Sequence, residues 1–457
     1  MTGSRKGLHG LATPIKERLI QEALQRRLRR VEQDTVAPHP AAATAGATAE
    51  SRVDSIPDSW CRFDLHPDYQ QLRILNEGAE KLGVGNPFFQ VHDGIAGATT
   101  SIDHEIISNF SSYNYLGLAG HPAVSDAAKA AIDRYGTSAS ASRLVSGERP
   151  IHRELERALA ELHGVEDCVV FVSGHATNVS TIGHLFGPKD LIVHDALIHN
   201  SALIGAQLSG ARRMPFAHND WEALDQLLGQ CRLQYERVLI VVEGIYSMDG
   251  DLPDLPRFVE IKRRHRAFLM VDEAHSLGVL GRRGLGIQEH FDLRGADVDI
   301  WMGTLSKTLA SCGGYVAGER ALVEHLKCAA PGFVYSVGMP PPAAAAALAA
   351  LRVMQAEPQR AQTLHARGRQ FLEQARALGI DTGLSRGFSV IPAITHSSLK
   401  AARLAEALLE KKINARPIVY PAVQERGARL RFFISSEHTE AQIQHAVQTL
   451  AAELRRL

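Results

Sequence analysis

Cys168-Val169-Val170-Phe171-Val172-Ser173-Gly174-His175-Ala176-Thr177-Asn178 is the stretch from which the architecture can be read. Five apolar residues in a row have the pattern of a strand buried on both faces. Ser173 and Gly174 then turn the chain into a helix that runs to Leu185, and a helix opening there leaves free backbone N–H groups at the strand's carboxyl end. The alternation continues downstream. Strands are expected over 191–193, 237–242, 267–271, 298–302 and 315–317, with helices over 200–209, 221–230 and 258–265. Alternating strands and helices predict an α/β domain, a mostly parallel sheet with helices on both faces.

Outward from this block, the pattern divides the chain of 457 residues. Residues 14–31 carry apolar residues at helical spacing opposite five arginines, and 35–51 read as an Ala/Thr/Pro-rich linker. Together they make an N-terminal piece, 1–53. A segment over 54–108 follows, with strands expected at 88–92 and 105–110 around a glycine-containing turn. Helices are expected over 122–135 and 151–162, on either side of a small-residue loop. The large domain is expected over 109–338. Beyond the prolines at 340–342 the composition turns helix-rich, giving a smaller αβ domain over 339–457.

Fifty basic and fifty acidic residues leave no net field to draw in nucleic acid or an acidic membrane. No apolar run approaches the roughly 20 residues of a membrane-spanning helix. The five cysteines are widely spaced and fit neither a disulfide framework nor a metal site, which points to reduced thiols and a cytoplasmic setting.

In open parallel sheets the site lies at the carboxyl ends of the strands. The first expected strand ends at Gly174 and His175, a candidate anion cradle at a helix start. Past the second lies His199, either a helix cap or a flat ring to stack on a flat ligand. Past the fourth come Asp272 and His275; Asp272 either caps a loop or keeps a ring nitrogen protonated. Past the fifth comes Gly303-Thr304-Leu305-Ser306-Lys307, and a lysine there is either a surface residue or the amine of a Schiff base. Each plain reading holds alone. In one order, however, an anion cradle, a stacking histidine, an acid for a ring nitrogen and a lysine are the parts that bind pyridoxal 5′-phosphate.

The motifs carry a resemblance. Phe110-Ser111-Ser112-Tyr113-Asn114-Tyr115-Leu116-Gly117-Leu118, Ser173-Gly174-His175-Ala176-Thr177-Asn178, Glu243-Gly244-Ile245-Tyr246-Ser247-Met248-Asp249-Gly250, Val271-Asp272-Glu273-Ala274-His275 and Thr304-Leu305-Ser306-Lys307 resemble the α-oxoamine synthases. These are fold-type I pyridoxal-phosphate enzymes, and the resemblance covers roughly three quarters of the chain. It implies a seven-stranded sheet, a homodimer, and the decarboxylative condensation of glycine, alanine or serine with an acyl thioester to give an α-amino ketone. The thioester carrier is coenzyme A or an acyl carrier protein; residues 88–97 resemble the polyketide- and prodiginine-pathway versions, which use the latter.

Position by position, the resemblance implies that Lys307 carries the cofactor and moves a proton, His199 stacks on the ring and Asp272 holds its nitrogen. His275 and Ser247 would face its phenolic oxygen, Gly174, His175 and Thr304 its phosphate. Arg431 would grip the amino-acid carboxylate, with Arg416 as a second arginine. Tyr113 stands where the oxononanoate-type synthases carry asparagine, which leaves the amino acid open. Another fold-type I enzyme, an aldolase or aminotransferase, would keep Lys307 and Asp272; a non-catalytic partner subunit would usually lose the lysine. No metal is expected.

Overall fold

The structure, a computed structural model, describes residues 56–457. The helix expected over 14–31 and the linker over 35–51 lie outside them. The chain divides after Phe89 into two units. In the first, the described part holds a helix, Pro67–Lys81, that sequence reading left unassigned; Pro67 opens it and the His66 side chain accepts the Asp68 N–H.

The second unit, Gln90–Leu457, opens on a hairpin of β1 (Thr99–Ile102) and β2 (Glu105–Asn109). Asp103 and His104 between them both have positive φ, 51° and 65°, the hairpin turn whose twist matches that of its strands. The first of these strands was expected at 88–92. It forms instead at the polar Thr99-Thr100-Ser101, because Thr100 and Ile102 turn inward there whereas Val91 is 82% exposed.

Seven strands form the central sheet: β3 (Asp167–Phe171), β4 (Leu191–Asp195), β5 (Arg212–Phe216), β6 (Val238–Glu243), β7 (Phe268–Asp272), β8 (Ile300–Thr304) and β9 (Gly314–Gly318). Their order is β3-β9-β8-β7-β6-β4-β5. The pairs β4–β5, β4–β6, β6–β7 and β7–β8 are parallel, and β9 runs antiparallel to both neighbours. Sequence reading missed β5. Its Arg-Arg-Met-Pro-Phe has no apolar alternation, and as an edge strand it tolerates Pro215.

Both faces of the sheet are covered. Along β6, Val238, Ile240 and Val242 belong to one apolar core and Leu239 and Val241 to the other. The first core takes in Leu155, Leu224 and Phe258 from helices Pro150–His163, Trp221–Cys231 and Leu255–His265. The second takes in Ile182, Ala202 and Leu326 from helices Gly174–Leu185, Asn200–Ser209 and Arg320–Ala329.

C-terminal to this sheet lie β10 (Val390–Ile394), β11 (Ile413–Asn414), β12 (Arg416–Ile418) and β13 (Arg429–Phe433). β10, β13 and β12 make an antiparallel sheet. β11 pairs in parallel with β2, Ile413 opposite Ser108 and Asn414 opposite Asn109. The Asn414 side-chain amide donates to Asn109 Oδ1 at 2.8 Å, which closes this sheet with a buried polar pair.

Candidate active site

The strand ends supply the site. Asp272, the last residue of β7, is 5% exposed. Its Oδ2 accepts from Asn178 Nδ2 at 2.8 Å and its Oδ1 from the Ala274 N–H at 2.9 Å. Asn178 Nδ2 also donates to Ser201 Oγ at 2.9 Å, which lies 2.7 Å from His199 Nδ1. One network therefore runs from Asp272 to the imidazole of His199. His199 does cap its helix, accepting the Ser201 N–H, yet its ring stays accessible. Burial lowers its pKa, Asp272 opposes the shift, and Lys307, His175 and Arg431 add to it.

Lys307 follows β8 by three residues, and Leu305 N–H donates to Gly313 O at 2.9 Å to close the turn that presents it. Its amine lies 5.5 Å from the centre of the Tyr113 ring. Burial pulls its pKa down to about 8, against the pull of Asp272 and Glu243 and with that of Arg431. An amine near 8 is partly unprotonated at neutral pH, the state a nucleophile and base requires.

His275 is fully inside. Burial first, then Lys307, Arg431 and His199, hold its pKa well below the usual value, so it is neutral. Arg431 lies on β13, where Nη1 donates to Ser247 O at 2.9 Å and its guanidinium stands 4.6 Å from the centre of the Phe433 ring. Ser247 thus meets Arg431 through its backbone. Arg416 sits directly opposite Arg431 across β12 and β13. Its Nη2 donates to Gln90 Oε1 at 2.8 Å and lies 3.3 Å from His92 Nε2, so it is held from the side of the chain that precedes β1.

At the other end, helix Gly174–Leu185 begins against the start of β9. A Cβ on Gly174 would stand 2.8 Å from Thr304 Oγ1, and one on Gly314 would stand 2.4 Å from Thr177 Oγ1. Only glycine permits that approach. It sets the unpaired N–H groups of the first helical turn, those of Gly174 and His175 among them, beside the Thr304 hydroxyl.

These residues fit pyridoxal 5′-phosphate. Anion donors at a helix start, a buried carboxylate, an accessible imidazole and a lysine all stand at the strand ends. The buried atoms that lack partners among the described residues include Asn178 Oδ1, beside Asp272, and Arg431 Nε. An arginine N–H without an acceptor is the mark of a position meant for a carboxylate.

Two residues escaped sequence reading as site residues. Glu243 is opposite Asp272 in the β6–β7 register, and burial followed by Asp272 pushes its carboxyl pKa well above the usual range. Tyr115 lies with its hydroxyl 2.7 Å from His275 Nδ1. Strand register brings the first pair together and a separation of 160 residues the second, so only Glu243's place at a strand end was visible beforehand.

Comparison with known proteins agrees with this geometry. The model for aminotransferase class I and II matches residues 105–450. An 8-amino-7-oxononanoate synthase of Symbiobacterium thermophilum is 40% identical over 350 residues, 77% of this chain and 89% of that one. The same enzyme of Thermoanaerobacter pseudethanolicus is 37% identical, over 82% of this chain and 95% of its own. A solved serine palmitoyltransferase from S. paucimobilis, with a bound PLP–myriocin aldimine, superposes with a TM-score of 0.82 at 28% identity, covering 86% of this chain and 99% of that one. The fold and the site define a class I and II aminotransferase-type enzyme, and within that family the chain belongs to the α-oxoamine synthases.

Proposed function

We propose that this protein is a pyridoxal-phosphate-dependent acyltransferase that condenses an amino acid with an acyl thioester, with loss of carbon dioxide, to give an α-amino ketone. The observation that carries this reading is the Lys307 amine, with its pKa near 8, in one pocket with Asp272 and the half-satisfied Arg431. Bound there, the cofactor supplies an electron sink that no side chain offers.

The residues divide the work. Gly174, His175 and Thr304 would hold the phosphate, Asp272 would keep the ring nitrogen protonated, and His199 would stack on the ring. Lys307 would anchor the cofactor through its amine, and that amine is the base for the Cα proton of the amino acid. Arg431 would grip the amino-acid carboxylate and so fix the orientation of the bonds at its Cα. Arg416, in register beside it, is the second arginine for that carboxylate, and Tyr113 bounds the space for the side chain. His275 and Ser247 border the phenolic oxygen.

The amino acid is one of glycine, alanine and serine, and the acyl carrier is coenzyme A or an acyl carrier protein. The protein works as a homodimer, with Leu144, Val145 and Tyr335 among its exposed apolar side chains. Five unpaired cysteines support a cytoplasmic location. Among the described residues, no helix is long and apolar enough to cross a membrane.

The test offers each amino acid with acyl-CoA and with acyl carrier thioester, and follows thiol and carbon dioxide release. One amino acid should support release, and borohydride should fix the cofactor to Lys307 in wild type but not in Lys307→Ala. Lys307→Arg should turn over at least about 10²-fold more slowly. Inertness towards all three amino acids, with the cofactor bound, would reject the condensation.

A further inference from the structure

His275 borders the pocket, but Tyr115 decides which way it can act. Tyr115 is 0% exposed and sits on the stretch between β2 and helix Pro122–Tyr135. Its hydroxyl lies 2.7 Å from His275 Nδ1. The two rings are 6.2 Å apart and inclined by 49°, which makes the contact an edge-on hydrogen bond and not a stack. Tyr113 and Phe433 flank the imidazole, with ring centres 6.0 and 6.4 Å away. The imidazole therefore bonds through its in-plane nitrogens.

A neutral imidazole donates from one nitrogen and accepts at the other. Burial above all, and then Lys307, Arg431 and His199, disfavour the imidazolium and push His275 towards this neutral form. Two arrangements are open. Either the phenol donates to Nδ1, or Nδ1–H donates to the phenol oxygen and the phenol's proton finds another acceptor. A phenol is the stronger acid of the two and an imidazole nitrogen the stronger base, which favours the first. The second would need an acceptor for the phenol's proton. Among the described residues the phenol has no hydrogen-bond partner other than His275, and the buried Ser389 hydroxyl has none at all.

We propose that Tyr115 is a positioning residue: its hydroxyl donates to Nδ1 and fixes His275 as the Nε2–H tautomer, a hydrogen-bond donor facing the pocket that Lys307 and Arg431 share. His275 thus holds an oxygen of the cofactor or of the acyl carbonyl as a neutral donor. Tyr115 touches neither substrate nor cofactor and works through His275 alone. This rests on the functional reading given above, since it assigns the pocket to that cofactor and those substrates.

The experiment is nitrogen-15 NMR of histidine-labelled holoenzyme, with the His275 signals assigned by their absence in His275→Gln. Wild type should show an unprotonated Nδ1 and a protonated Nε2 across the pH range of activity. Tyr115→Phe should lose that preference, lower kcat about tenfold with KM for the amino acid changed less than twofold, and shift the visible band of the bound cofactor. A wild-type His275 with its proton on Nδ1, or a Tyr115→Phe variant with tautomer and kcat unchanged, overturns the proposal. The wild-type measurement decides the matter even if the variant fails to fold. Protein that takes up no cofactor refutes the functional reading, while the tautomer seen in that same sample still decides for or against Tyr115.

Discussion

At the scale of single residues, Arg431 has the sharpest consequence. One nitrogen is committed to Ser247 O at 2.9 Å, and buried Nε has no partner among the described residues. Lysine would keep the charge but lose the planar fork that meets a carboxylate through two hydrogen bonds. Arg431→Lys should raise KM for the amino acid roughly tenfold to hundredfold, equivalent to about 1.5–3 kcal/mol, with a smaller change in kcat. Steady-state kinetics with varied amino acid checks this; an unchanged KM would move the carboxylate elsewhere, with Arg416 the next candidate. Lys307, Asp272 and His199 could be read from the chain because each follows an apolar run that ends in a turn. Tyr115 could not, because its importance comes from a partner that only the fold supplies.

At the scale of elements, the joint between helix Gly174–Leu185, β8 and β9 holds the anion end of the pocket together. Thr304 Oγ1 donates to Gly313 O at 3.0 Å and accepts the Ser306 N–H at 3.2 Å, and a methyl group on Gly174 would push against it. Gly174→Ala should weaken cofactor retention about tenfold, as the loss of one charge-assisted hydrogen bond would. Titrating cofactor into stripped protein measures it, and unaltered affinity would take Thr304 and Gly174 out of the cradle. Elements with strong apolar signals stood where the sequence put them: helices Pro122–Tyr135, Gly174–Leu185 and Asn200–Ser209 have the expected bounds. The elements missed or misplaced include helix Arg320–Ala329 and two polar strands. β1 and β5 owe their conformation to a neighbouring strand, a cause that no local pattern records.

At the scale of the whole molecule, pH acts on stability through buried charge. His218 bridges Asp195 and Asp251, 2.8 Å from each, and ties the end of β4 to the loop after β6. Burial alone would lower its pKa, but the two carboxylates raise it to about 10. The unfolded value is about 6.5. The folded state therefore holds this proton more tightly, so the stabilisation is complete below about pH 6.5 and fades as pH rises through about 10. Lys307, lowered to about 8, acts in the opposite sense, because its burial penalty fades as the lysine loses its proton. Comparison with His218→Gln separates the two. Urea unfolding at fixed ionic strength should give a wild-type midpoint that falls further between pH 7 and 10 than the variant's does. Parallel slopes in the two proteins would mean that His218 is neutral in the folded state.

The pairing of β2 with β11 has a consequence in time. Asn109 and Asn414, which close that sheet, are 305 residues apart in the chain. At about 5–20 residues per second, a ribosome takes roughly 15–60 s to travel from one to the other. For that interval the β2 edge of the hairpin has no strand beside it, and its N–H and C=O groups are unmatched. The charged Glu105, at the start of β2, is the kind of residue that keeps such an edge from recruiting the wrong neighbour.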